Sequence, residues 1–207
     1  MAKAPAPGRC KTRLCPPCTY EQAAKLAAMA LRDTIDVVSA TPASRRVLVF
    51  DGPRPAWLPD EYSVVPQRGR GLDQRLAAAF EDTGGPSLLI GMDTPHLDPQ
   101  MLTEATAHLD TRTTDAVLGP SMDGGYWAIG LRVADPCAFL GVPMSEPQTG
   151  AAQLQRLHRL GLRTKLLPPV RDVDVFGDAL AVARAAPDTR FAAAIKALEA
   201  SRLGAYA

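Results

Sequence analysis

Aromatic side chains make up 5% of the chain, and only three histidines and two tryptophans occur in its 207 residues. So small a stock of imidazole leaves little room for a Ser-His-Asp or Cys-His relay. His108 and His158 fall within helical patterns, and His96 lies in a proline-broken turn where helix initiation explains it better than catalysis. An excess of one charge is also lacking. Lys plus Arg number 23 against 22 Asp plus Glu, a formal net charge of +1, which argues against the broad basic footprint of a nucleic-acid or anionic-membrane binder. No apolar run approaches the ~18 residues that span a bilayer, and the basic start "MAKAPAPGRCKTRL" has no apolar segment behind it to make an export signal. These absences predict a cytoplasmic protein that handles small molecules, with neither nucleic acid nor membrane as partner.

Cysteine is sparse but uneven: Cys10, Cys15 and Cys18 cluster near the start, and Cys137 stands far off. "CPPC" has the C-x-x-C spacing of redox and zinc sites. Pro16 and Pro17 fill its gap, however, and no second such pair completes a tetrahedral zinc site. Ordinary reduced thiols are the expectation, and a non-catalytic protein, either a zinc- or redox-responsive module or a degenerate binding module, is the competing reading.

What is present is a regular alternation of helix and strand signals within 46% hydrophobic content, enough for one domain over 1–207. Thr19 with Gln22 forms a capping-box pattern that opens a helix to about Ala40, with Leu26, Ala30, Thr34 and Val38 along its buried stripe. "RVLVF" and "SVV" predict strands at 46–50 and 63–65, and a helix is expected over 72–81. "SLLIG" reads as a central strand, and Asp98-Pro99 as a helix N-cap with proline at the first helical position. "DAVLG" and "YWAIGL" are two further strands around "PSMDGG"; a helix over 149–160, the strand "RTKLL" and two alanine-rich helices split at Pro187 complete the chain. This order predicts an α/β fold of three layers, αβα, around a mostly parallel sheet, with active residues in loops at the strands' C-terminal ends.

Three constellations carry chemistry. Lys3, Arg9, Lys11 and Arg13 lie among Pro5, Pro7 and Gly8, a combination of close backbone approach and charged donors that suits a polyphosphate, although a solvated basic N-terminus would look the same. Asp93 directly follows the central strand, and "RDVDVFGDA" carries Asp172, Asp174 and Asp178. Mg²⁺ prefers one or two carboxylates plus substrate phosphates, so two distant aspartates meeting at one loop face would serve; turn and cap roles are the alternative for each. Asp123 precedes Gly124-Gly125, a tight-turn signature that a plain hairpin also explains. Tyr126 and Trp127 follow it, scarce aromatics beside a carboxylate, as sugar and nucleobase sites often have.

Taken together, "AKAPAPGRCKTRL", "GLDQRL", "GMDTPHL", "LGPSMDGGYWAIGL" and "DVDVFGDAL" resemble a bacterial family of GT-A-like transferases usually labelled glycosyltransferases. Its distant relatives are 2-phospho-L-lactate guanylyltransferase and molybdenum cofactor guanylyltransferase. The resemblance implies a GT-A, nucleotide-diphospho-sugar transferase-like fold using Mg²⁺ or Mn²⁺. It implies a nucleotide or nucleotide-sugar donor held by the Lys3 to Arg13 loop, including Pro7, Gly8 and Arg9, with Lys11 and Arg13 foremost. Gly71, Leu72, Asp73 and Arg75 would lie near the base, Asp93 and Asp174 would bind the metal with Asp172 beside them, and Gly124, Gly125, Tyr126 and Trp127 would line the side of a small-molecule acceptor that Asp123 orients or deprotonates. Glycosyl transfer is the leading activity and nucleotidyl transfer the runner-up. The resemblance also implies an apolar strand just ahead of the "AKAPAPG" loop, so the nucleotide-holding strand is expected to be missing before Met1. "DVDVFGDA" stands where the family has "DVDTPEDL", which removes a Thr-Pro turn and keeps the aspartates.

Overall fold

Repeated switches of apolar spacing between periods of 3.6 and 2 produce the observed order of elements. The computed structural model describes residues 1–204. Its elements are β1 (Ala2–Lys3), α1 (Tyr20–Ala40), β2 (Arg46–Asp51), β3 (Tyr62–Pro66), α2 (Leu72–Thr83), β4 (Ser87–Ile90), α3 (Pro99–Asp110), β5 (Ala116–Pro120), β6 (Tyr126–Leu131), α4 (Thr149–Arg159), β7 (Thr164–Leu166), α5 (Phe176–Ala185) and α6 (Arg190–Gly204). No described helix is long and apolar enough to cross a membrane.

Local signals account for the helix starts. Thr19 accepts from Gln22 N at 3.2 Å while Gln22 Oε1 accepts from Thr19 N at 2.8 Å, a reciprocal box that satisfies two otherwise orphaned donors at the start of α1. Asp98 accepts from Gln100 N at 2.8 Å, and Pro99 occupies the first turn of α3. Helix α6 is capped from a distance. The buried Asp33 carboxylate on α1 accepts from Arg190 N at 3.1 Å and Phe191 N at 2.8 Å, so the first turn of α6 is fixed by a side chain 157 positions earlier.

The strands form two ladders, β1-β2-β3 and β4-β6-β5-β7. Pairs β1–β2, β2–β3 and β5–β7 are parallel, whereas β6 runs antiparallel to both β4 and β5. The expected parallel arrangement therefore holds apart from β6. Its hairpin with β5 has too short a connection for anything but an antiparallel return. Helices α1, α5 and α6 enclose one apolar cluster with Leu14, Phe191 and Ile195, and α2 closes another through Phe80, stacked on Phe139 with ring centroids 4.8 Å apart.

Strand β1 is two residues long, and its register, Ala2 with Phe50 and Lys3 with Asp51, leaves Arg46 to Val49 of β2 unpaired on that side. The Met1 amine donates to Ile90 O at 2.7 Å, so the first residue bridges the two ladders at one end. Behind it lies a cavity of about 400 Å³ walled by Arg46 to Val49 on one side and Ser87 to Gly91 on the other. Ser87 Oγ is buried there with no hydrogen-bond partner. Two facing strand edges with free backbone groups have the shape of a strand slot.

Filling that slot should stabilise the fold. Adding four strand-forming apolar residues ahead of Met1 is expected to raise Tm by roughly 5 °C, given about 2–4 °C per kcal/mol for a chain of this size. Gly-Ser-Gly-Ser at the same place should leave it unchanged. Differential scanning calorimetry of the two extended chains makes the comparison.

Candidate active site

The β1, β2, β4, β5 and β7 strands end on the same side, and their loops carry the charged residues singled out above. Lys11 lies in the loop after β1 with left-handed backbone angles, φ 50° and ψ 35°, unusual for a residue bearing a Cβ. That conformation turns its side chain inward: Nζ stands 2.9 Å from Asp93 Oδ1 and also donates to Val173 O. The Lys11 side chain is 13% exposed and that of Asp93 42%. Val173 N donates to Asp93 O at 2.9 Å. The loop after the central strand and the acidic segment near the chain's end are thus joined through main chain and side chain.

Asp172 is half-buried beside this junction. Burial, followed by repulsion from Asp123 and less strongly from Asp93, pushes its carboxyl up from 3.8 to about 6, with Lys11 opposing the rise. Asp93, Asp123 and Asp172 therefore share one electrostatic neighbourhood with the Lys11 ammonium, and the Met1 amine also feels Asp93. Asp174 points elsewhere, pairing with the exposed Arg13 at 2.8 Å. Asp178 accepts from Val175 N at 3.1 Å and pairs with Arg171 at 2.8 Å, a cap on α5.

Asp123 is placed by its turn. Oδ1 accepts from Gly125 N at 2.8 Å, and Met122 N donates to Val170 O at 3.2 Å, which draws the turn toward the acidic segment. Gly124 has φ +91°, and a Cβ there would stand 1.8 Å from Pro147 O; Gly150 N donates to Gly124 O at 2.8 Å. Only glycine fits that approach.

The aromatic platform expected at Tyr126 and Trp127 is not there. Trp127 is 4% exposed, its ring covers Gly119, and Nε1 donates to Pro168 O at 3.1 Å, so it is a core residue. Tyr126 faces the other way, its hydroxyl toward Gln153 Oε1 at 3.4 Å, and burial pushes its phenol far up. Successive strand residues point to opposite faces, a signal available in the sequence. Lys3, Pro7, Gly8, Arg9 and Arg13 are exposed around the basic loop.

Asp73 accepts from Gly141 N at 3.0 Å, which lowers its carboxyl pKa and ties the start of α2 to a distant turn; Gly71 precedes that helix, and Leu72 is exposed. Arg75 donates to Gly69 O at 3.3 Å and to Gln67 Oε1 at 3.4 Å. Gln67 in turn donates to Ala2 O at 2.7 Å, joining this loop to β1. Nothing in the sequence flagged Gln67, because its partner is main chain 65 positions away. Thr94 was likewise passed over; its hydroxyl is buried without a partner beside Asp93. His96 is partly buried, and burial lowers its pKa.

No three His, Cys, Asp or Glu side chains among the described residues form a ready-made metal cage. The donor set still fits a hard divalent cation that keeps waters and substrate oxygens in its shell: carboxylates are the right ligands, and Asp172 is left short of positive charge by its neighbours. The four cysteines are unbridged thiols.

This fold is that of nucleotide-diphospho-sugar transferases. The chain aligns with a provisionally named nucleotide-diphospho-sugar transferase from Desulfovibrio desulfuricans G20 at 26% identity and TM-score 0.85, covering 96% of this chain and 92% of that one. It belongs to the bacterial family DUF2064, described as an uncharacterized protein conserved in bacteria, whose pattern matches residues 25–146. CMP:2-keto-3-deoxy-manno-octonic acid synthetase complexed with CTP shares the fold at 10% identity and TM-score 0.50, over 70% of this chain and 82% of that one. Rv0371c from Mycobacterium tuberculosis H37Rv, in a complex with manganese, aligns at 22% identity and TM-score 0.48 over 87% and 94%, too remote to carry weight. A sequence comparison with the curated proteins finds no match.

Asp172 supplies a stability test. Because its folded-state pKa is raised, the native protein holds a proton that the unfolded chain releases between pH 3.8 and about 6, and stability falls as pH rises through that window. Asp172→Asn should therefore raise Tm at pH 7.5 and change it little below pH 4. Thermal melts of both proteins across pH 3.5–8 check the sign.

Proposed function

We propose that the protein is a transferase dependent on Mg²⁺ or Mn²⁺ that takes a nucleotide-linked sugar as donor and a hydroxyl of a small molecule as acceptor. The supporting observation is the meeting of Asp93 and the 172–174 segment beside Asp123, facing the basic loop. The likeness to the Desulfovibrio transferase, over nearly the whole of both chains, supports the donor class.

Lys3, Arg9, Lys11 and Arg13, with the backbone of Pro7 and Gly8, bind the donor's diphosphate through charge-assisted hydrogen bonds. Gly71, Leu72, Asp73 and Arg75 border the base. Asp93 and Asp172 would hold the divalent ion, and Asp174, paired with Arg13, is a further carboxylate in the Asp172 segment. When bound, the ion neutralises charge on the departing diphosphate. Asp123 orients the acceptor hydroxyl and takes its proton as the oxygen bonds to the sugar's anomeric carbon and the bond to the diphosphate oxygen breaks. Gly124 and Gly125 give the acceptor close access to that carboxylate, and Tyr126 supports the turn from within.

Incubation with Mg²⁺ or Mn²⁺ and a panel of nucleoside triphosphates and nucleotide sugars tests the reading. Release of a nucleoside diphosphate from a nucleotide sugar is expected. Pyrophosphate release from a triphosphate would replace this activity with nucleotidyl transfer, and calorimetry showing no binding of either class with metal would remove both. Asp93→Ala should abolish metal-dependent nucleotide binding while lowering stability by only about 0–1 kcal/mol, because a half-exposed ion pair contributes little to folding. Isothermal titration beside a thermal melt reads the two effects separately.

A further inference from the structure

We propose that Lys11 is an internal placeholder for the divalent ion: its ammonium bridges Asp93 and the 172–174 segment before metal binds, and it moves out to the donor's phosphates when metal enters. The inference rests on the metal-dependent reading above and adds a step to it, an exchange of one cation for another.

Three observations on Lys11 carry it. Its ammonium group contacts the two acidic segments at once, through Asp93 Oδ1 at 2.9 Å and Val173 O. A lysine committed to a diphosphate in solvent would instead extend outward as Lys3 and Arg9 do. The inward course is imposed on a strained backbone, since left-handed angles are unfavourable for a residue with a side chain and persist only where other contacts enforce them. Those contacts are the ion pair itself and the Leu14 N to Lys11 O bond at 3.0 Å that starts the Thr12–Leu14 turn.

Charge supplies the logic. Asp93 and Asp123 both repel Asp172 while Lys11 opposes them; Arg13 is drawn off by Asp174, and the Met1 amine, which Asp93 also influences, is committed to Ile90 O. A single ammonium cannot balance three carboxylates, and a divalent ion balances them better. On its entry the ammonium is repelled, and the nearest unsatisfied anions are the phosphates that arrive with the metal. The Thr94 hydroxyl, next in the chain to Asp93, is buried without a partner, so the loop after β4 holds a polar oxygen not yet used. Metal and donor would then bind together better than either alone, because each relieves what the other leaves unpaired.

The test uses the purified full chain and Mn²⁺, with two readouts that do not depend on turnover. Amine acylation followed by peptide mass spectrometry measures the reactivity of Lys11. Mn²⁺ saturation should raise its labelling by about fivefold, as an ammonium freed from a partly buried ion pair becomes accessible, with Lys25 and Lys196 unchanged as internal references. Electron paramagnetic resonance measures free Mn²⁺. Lys11→Met should bind Mn²⁺ roughly tenfold more tightly than wild type in the absence of nucleotide, the effect of removing one close competing charge. Arg13→Met, which removes an equal charge from the same loop, should change the affinity by less than about twofold, as an exposed, screened cation does.

Labelling of Lys11 that is unchanged or reduced by bound Mn²⁺ overturns the placeholder and leaves the metal site standing. So does an equal gain in affinity from both substitutions, which would be general charge, or a loss of affinity in Lys11→Met. Failure of Mn²⁺ to bind either wild type or Lys11→Met removes the metal-dependent reading and the placeholder together. The wild-type labelling decides the matter even where a substitution impairs folding.

Discussion

The contact between the loop after β4 and the segment before α5 is the constraint on which the candidate site depends. It consists of one main-chain hydrogen bond, Val173 N to Asp93 O, and one ammonium group bridging Asp93 and Val173. Neither partner belongs to a helix or strand, so regular structure does not enforce the meeting. What enforces it is the path of the chain: β7 pairs with β5, Val170 pairs with Ser121 and donates to Pro120, and the chain is thereby led across the strand ends to Asp93. Three aspartates from three loops then share a space that solvent only partly screens. Burial of Asp172, and after it repulsion from Asp123 and Asp93, is an unfavourable term that the rest of the fold sustains. Such terms are typical of sites shaped for a ligand rather than for stability.

Much of the architecture could be read from local pattern. The Thr19–Gln22 box and the Asp98-Pro99 start are short-range devices, and their partners lie within three residues. The alternation of elements followed from apolar spacing, and the basic and acidic loops followed from strand ends. Less legible was anything set by distant partners. The two-residue β1 has no pattern of its own and exists only because β2 pairs with it. Which of Asp172 and Asp174 turns toward Asp93 depends on where Arg13 lies, and "DVD" alone presents both. Tyr126 and Trp127 are a different case: strand alternation already placed them on opposite faces, and reading them as one platform ignored that geometry.

The two ladders meet at Met1, and this has a bearing on the site as well as on the fold. Lys3 and the loop that follows leave from the same short strand that bridges β2 and β4. Gln67, through its bond to Ala2 O, brings the start of α2 to that strand, so the basic loop and the Gly71 region are positioned by one element. Cohesion at the slot and order in the basic loop and the Gly71 region are therefore linked.

The Gly124 turn sets a limit of another kind. With Pro147 O where a Cβ of residue 124 would stand and Gly150 N bonded to the Gly124 carbonyl, the turn bearing Asp123 is tied to the 147–150 stretch. A side chain at position 124 would have to displace that stretch, so the turn and residues 147–150 can change only in concert.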